Sequence, residues 1–127
     1  METLTLNKIS FTAEPWPVDP NRPTLVFIHG SAMAGAFWQP QMDGLSKEFN
    51  TIALDLPGHG QSPGDGHDNI PAYGEAAMSL IDAVDPPRPV PCGLSLGGAV
   101  AQHLLIHYPD RFAAGILINT GARLRVL

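Results

Sequence analysis

Residues 24–28, Thr-Leu-Val-Phe-Ile, run without a charged side chain between Pro23 and the pair His29-Gly30. A strand with one wet face alternates apolar and polar residues, so an unbroken apolar run of strand length belongs to a strand covered on both faces. Helices on either side of a mostly parallel sheet provide that cover. The flanking sequence supplies such helices. Residues 70–84 read as the clearest one: Asn69 can cap it, Pro71 suits its first turn, and Ala77, Leu80, Ile81 and Val84 share a face. Residues 96–108 carry a second stripe of Ala101, Leu104, Leu105 and Tyr108, and residues 37–49 read as a third helix, interrupted by Pro40 and Gly44. Between these lie strands at 51–54, 90–93 and 114–118, and residues 3–14 form one strand or a tight hairpin turning near Asn7-Lys8. Two proline clusters, Pro15 to Pro23 and Pro86 to Pro91, read as stiff connections ahead of a strand. Strands alternating with helices mean an α/β fold with a mostly parallel sheet, and 127 residues make one domain at most.

Composition removes several classes of function. Apolar residues make up 44% of the chain and charged residues 15%, too hydrophobic and too sparsely charged for a disordered segment. Seven basic against twelve acidic residues leave a net charge of −5, and no Lys/Arg cluster occurs, so neither nucleic acid nor an anionic membrane is an expected partner. A lone cysteine, Cys92, excludes an intrachain disulfide and a multi-cysteine zinc site. The N-terminus lacks the basic start and apolar run of a signal peptide, and the longest apolar stretches, four or five residues, fall far short of a membrane span. The expectation is a cytoplasmic domain.

The chemistry concentrates at Gly93-Leu94-Ser95-Leu96-Gly97, between a strand and a helix. In that setting G-x-S-x-G is a nucleophile elbow: a strained turn lifts the serine hydroxyl above the sheet edge, and the flanking glycines let neighbouring chain approach. The following helix aims its free N–H groups at charge growing on a bound carbonyl oxygen. His29-Gly30-Ser31 leaves the 24–28 strand into the same crevice, so the amides of Ser31 and Leu96 are the candidate oxyanion hole for an attack by Ser95. Alone, Gly30 would read as a simple turn glycine. Asp55-Leu-Pro-Gly-His-Gly-Gln-Ser62 reads as a rigid turn shaping one crevice wall, with Asp55 holding it.

These three motifs, in this order and spacing, resemble the α/β-hydrolase superfamily in its esterase, lactonase and haloperoxidase-like branch. Cys92-Gly-Leu-Ser-Leu-Gly-Gly98 looks most like the enol-lactonase type. The resemblance spans residue 3 to Gly121. It implies a serine hydrolase cleaving small carboxylic esters or lactones through an acyl-enzyme on Ser95, with no metal or organic cofactor. It also implies a triad ordered Ser, Asp or Glu, then His. Of the 32 residues after Ser95 (127 − 95), the only acid is Asp110, at the far end of the elbow helix. Some members carry the acid just past the following strand, where Asn119-Thr120 stand in this chain. The triad acid and histidine are therefore expected outside this chain, which resembles the N-terminal half of the fold without its cap and C-terminal strands. The aliphatic 114–118 strand would then be an unguarded sheet edge. A complementary C-terminal hydrolase chain, self-association or a longer natural polypeptide would cover it. The competing reading is a non-catalytic half-domain, an interaction module or an inert fragment.

Several residues carry a plainer reading beside a sharper one. His103 and His107 have the i,i+4 spacing of a metal pair but lack a third ligand, and read as solvent-side positions pointing away from Ser95. His59 reads as structural rather than as the triad base. Cys92 reads as a packed thiol. Phe37 and Trp38 read as core, with acyl-pocket lining as the minor alternative.

Overall fold

The computed structural model describes residues 2–122. The chain opens with a hairpin in which β1 (Leu4–Leu6) pairs antiparallel with β2 (Ile9–Glu14), Leu6 opposite Ile9. The linking residues Asn7 and Lys8 have φ of 51° and 63°. Two successive positive φ values are what a two-residue type I′ connection needs to match strand twist.

Next come β3 (Thr24–Ile28), a 3-10 turn at Gly35–Trp38, α1 (Gln39–Leu45) and β4 (Asn50–Leu54). They are followed by α2 (Ile70–Val84), β5 (Pro89–Leu94), α3 (Leu96–His107) and β6 (Ile116–Ile118). The strands form one sheet in the order β1-β2-β4-β3-β5-β6, antiparallel through β1, β2 and β4 and parallel from β4 to β6. The α/β class read from the sequence is the class observed. From β3 the chain moves to β4 on one side, then crosses back through α2 to β5 on the other. Loops leaving the C-terminal ends of β3 and β5 thus diverge, opening a crevice at the switch point of the sheet.

All five residues of β3 are buried, and its two faces serve two cores. Val26 and Ile28 join Ile52, Leu54, Leu80, Ile81, Val100 and Leu104 beneath α2 and α3. Leu25 and Phe27 join Trp38, Met42, Ala53 and Cys92 beneath α1. Asn69 caps α2 by accepting the Ala72 amide at 2.9 Å, and Asp85 ends it in the left-handed region. Two prolines in β5 are tolerated because β6 pairs only from Cys92 onward, leaving one flank without a neighbour at Pro89 and Pro91.

Three expectations need correction. The helix placed at 37–49 is a 3-10 turn followed by the seven residues of α1. Pro40 lies in the first turn of that helix rather than interrupting it, because a first-turn residue needs no donor. Phe37 is not core: it is 49% exposed, whereas Trp38 is buried and stacks on Phe27 at 4.8 Å. The last strand is Ile116–Ile118, shorter than residues 114–118.

The core beneath α3 gives a direct test. Leu104→Ala, at a side chain with no exposure, should lower stability to urea by about 2–5 kcal/mol. Ile106→Ala on the same helix, 70% exposed, should stay within about 0.5 kcal/mol of the parent. Equal losses would mean that α3 does not pack as described.

Candidate active site

Ser95 is the single residue between β5 and α3, and its backbone lies at φ 54° and ψ −114°. An L residue holds such a conformation only where its surroundings impose it. A Cβ placed on Gly97 would sit 2.0 Å from the Ile28 carbonyl oxygen, and one on Gly93 would sit 2.1 Å from the Gly97 carbonyl oxygen. The first turn of α3 therefore lies directly on the ends of β3 and β5, and the chain must bend sharply at Ser95 to enter it. The Ser95 amide donates to the Ile118 carbonyl at 2.9 Å, its carbonyl accepts the Gly98 amide at 2.9 Å, and its side chain faces solvent. Leu96 opens α3, so its amide belongs to the first turn, whose donors lack intrahelical acceptors.

The loop after β3 passes beside this turn. A Cβ on Gly30 would lie 3.6 Å from Ser95 Cβ and 3.5 Å from the Leu94 carbonyl oxygen. Ser31 follows, exposed, in a tight turn closed by the Met33 amide on the Gly30 carbonyl at 3.2 Å, with Ala32 at φ 59°. The fold thus runs the Gly30–Ser31 loop beside Ser95 at the start of α3.

His29 anchors that loop from below. It has no exposed surface, its Nε2 accepts the Leu56 amide at 3.0 Å, and its Nδ1–H donates to the Gly30 carbonyl at 2.7 Å. Because Nε2 must accept, the ring is the neutral tautomer protonated on Nδ1. Burial, aided by the nearby His59 charge, pushes its pKa below the ordinary 6.5. Asp55 supports the opposite wall. Its Oδ2 accepts the Gln61 amide at 3.0 Å, its carbonyl accepts the Ser62 hydroxyl at 2.6 Å, and Gly60 packs against the carboxylate. Holding the Pro-Gly-His-Gly turn is the role read for it from sequence. The sequence did not reveal its second reach, Oδ1 accepting the Gly35 amide at 2.7 Å, which ties that turn to the segment after β3.

The remaining candidates stand apart from Ser95. His59 is half-buried, with Nδ1 3.0 Å from the Pro57 carbonyl inside its own turn. Cys92 is buried, and burial raises its thiol pKa to about 12, so it is a packed rather than reactive thiol. His107 is exposed, as expected, but His103 is not a solvent-side residue. Its side chain is 9% exposed and seated over Gly74 of α2, with Nε2 2.8 Å from Glu75 Oε2. The small Gly74 creates that slot, which no local pattern on α3 announces. Tyr108 also donates its hydroxyl to Glu75, and these two hydrogen bonds hold the Glu75 carboxyl below its usual range. Among the described residues, no side chain hydrogen-bonds to the Ser95 hydroxyl, and no three His, Cys, Asp or Glu residues are grouped to hold a metal ion. No helix among them is long and apolar enough to cross a membrane.

Residues 23–126 match the family model for the alpha/beta hydrolase fold, and the chain belongs to this family. It is 40% identical over 95 residues to a pimeloyl-(acyl-carrier protein) methyl ester esterase of Vibrio atlanticus, an overlap covering 75% of this chain and 35% of that protein. It is 33% identical over 105 residues to 3-oxoadipate enol-lactonase 2 of Acinetobacter baylyi, covering 82% and 39%. The enol-lactonase of Burkholderia xenovorans superposes with a TM-score of 0.79 at 27% identity, over 96% of this chain and 48% of that one. A hydrolase from Pseudomonas aeruginosa gives the same score and identity over 97% and 47%. The chain spans little more than a third of the length of the curated relatives it matches.

Two measurements probe the geometry. Gly97→Ala should cost about 3 kcal/mol, since backbone atoms block the new methyl. Gly44→Ala, whose Cβ meets nothing within 4 Å in α1, should gain about 0.5–1 kcal/mol. Similar effects at both sites would contradict the close approach at the elbow. For His29, the unfolded chain binds a proton near pH 6.5 that the folded ring resists, so its stabilisation is complete above that value and is lost as pH falls toward the depressed folded pKa. Between about pH 7.5 and about pH 5.5 the parent should lose more urea resistance than His29→Asn, in which this titration is absent. Parallel losses in the two proteins would rule out a buried neutral His29.

Proposed function

We propose that this chain is the nucleophile-bearing part of a serine hydrolase acting on small carboxylic esters or lactones. The observation that carries the reading is Ser95, exposed in the crevice at the head of α3 with a positive φ. The relatives named above, an esterase and an enol-lactonase, support the substrate class. In this reading residues 1–127 are an incomplete part of one hydrolase domain, with its elbow at 93–97, working in the cytoplasm without a cofactor. Ser95 Oγ attacks the carbonyl carbon and gives its proton to a histidine. The amides of Ser31 and Leu96 donate to the oxyanion that forms. Collapse of the tetrahedral intermediate expels the alcohol oxygen, which takes that proton, and water later cleaves the acyl-serine ester.

The histidine and its acid come, in this proposal, from a further segment of the fold, on a longer polypeptide, a complementary C-terminal chain or a partner copy. Among the described residues no hydrogen bond joins Asp110, His103 or Glu75 to Ser95, and β6 offers an edge where a further strand can pair. The competing reading, an incomplete domain without catalysis, predicts an inert serine.

A fluorophosphonate separates the two, because it reacts quickly only with a serine served by a base and an oxyanion hole. The protein as isolated from its source should gain one adduct by intact mass, located on Ser95. Ser95→Ala should abolish the adduct and lower ester or lactone turnover at least about 10³-fold. A folded protein that takes up no adduct would favour the inert reading, and turnover surviving Ser95→Ala would sink the proposal.

A further inference from the structure

The elbow is gripped on its β6 side as well as by the helix it opens. The Ser95 amide donates to the Ile118 carbonyl at 2.9 Å, and the Ser95 carbonyl accepts the Thr120 hydroxyl at 2.8 Å. Thr120 is half-buried, its side chain seated on Gly98, where a Cβ would come within 2.5 Å of it. Asn119, between the two contacts, has φ 46°, so the chain kinks after β6 and turns Thr120 back onto the elbow. Gln102 adds a further tie from α3, its Nε2 donating to the Gly121 carbonyl at 2.9 Å. The Ser95 carbonyl already accepts the amides of Gly98 and Ala99 at 2.9 and 3.2 Å, which is all that starting α3 requires. The Thr120 hydroxyl is thus a third donor, arriving from a different element.

We propose that Thr120 is a positioning residue for Ser95, and that Ile118 and Thr120 together clamp the strained elbow through the end of β6. Positive-φ backbone relaxes unless its neighbours over-determine it, and this pair fixes both the amide and the carbonyl of the strained residue. The catalytic consequence rests on the reading of Ser95 as nucleophile; the clamp itself does not. β6 pairs with β5 on one side, and its three side chains are 38–45% exposed. Whatever covers β6 therefore also stiffens the elbow.

Amide hydrogen exchange on the 127-residue chain tests the clamp without reference to activity. Thr120→Val keeps the shape and removes the donor, while Thr120→Ser keeps the donor. Exchange at the Ser95 amide should accelerate about tenfold in Thr120→Val and stay within about twofold in Thr120→Ser, with Val26 and Ala77 unchanged as markers of global stability. Unchanged Ser95 exchange in Thr120→Val, or acceleration shared by Val26 and Ala77, would overturn the clamp. In the active hydrolase, Thr120→Val should lower kcat about tenfold with KM unchanged, and Thr120→Ser should restore it. Normal kcat with loosened exchange would overturn the positioning role. Failure of the nucleophile reading shows separately, as turnover that survives Ser95→Ala.

Discussion

The structure turns on one close approach: the first turn of α3 lies against the ends of β3 and β5 with no side chain between. Gly93 and Gly97 permit it, since a methyl at either would fall about 2 Å from a backbone oxygen. With the helix so close, the chain has no room for an extended residue between strand and helix, and Ser95 is driven to positive φ. The same approach brings the α3 N-terminus to the sheet's switch point. There the loop after β3 passes within van der Waals reach of Ser95 Cβ. Exposure of the serine, its strain and its place beside unsatisfied helix N–H groups are thus one geometric consequence rather than three separate features.

Irregular segments form the crevice walls, and buried polar side chains hold them in place. Asp55 spans two of them by accepting the Gly35 and Gln61 amides, and His29 joins the Gly30 carbonyl to the Leu56 amide. Each satisfies backbone groups that would otherwise be stranded in a dry interior, where an unpaired group costs about 1–3 kcal/mol. The chemistry of the two supports differs. Asp55 is an acceptor on both oxygens, whereas His29 must both give and accept, which only the neutral ring can do. Burial favours that neutral ring, so His29 works as a fixed donor–acceptor link between the two segments rather than as a charge.

Wherever the determining contact was local, the sequence was legible. The unbroken 24–28 run, the Asn69 cap with the stripe on 70–84, and the G-x-S-x-G turn each depend on residues a few positions apart, and each appears where it was read. Where the determinant is distant, the pattern was silent or misleading. His103 sits in a slot made by Gly74, 29 positions earlier on another helix (103 − 74), so its own helix pattern made it a surface residue. Phe37 and Trp38 are adjacent aromatics, and Trp38 is the one buried because the distant Phe27, Leu25 and Ala53 pack around it. Pro40 reads as an interruption from sequence because its meaning depends on where the helix begins. Thr120 has no sequence signal at all; its role exists only because Asn119 turns it onto the elbow.

The two edges of the sheet are not equivalent. β1 is a short strand of Leu4, Thr5 and Leu6, closed by its own hairpin, while β6 presents Ile116, Leu117 and Ile118 with substantial exposure. An aliphatic parallel edge without charge or proline has little to discourage pairing with further chain. That strand is also the one whose carbonyl holds the Ser95 amide. The most exposed strand therefore supports the positive-φ residue at the elbow, and the two properties are thermodynamically linked. Any segment that binds the ordered β6 in preference to the frayed one favours the clamped elbow by the same free energy. If Ser95 is the nucleophile proposed above, covering the β6 edge would also hold its reacting hydroxyl in place.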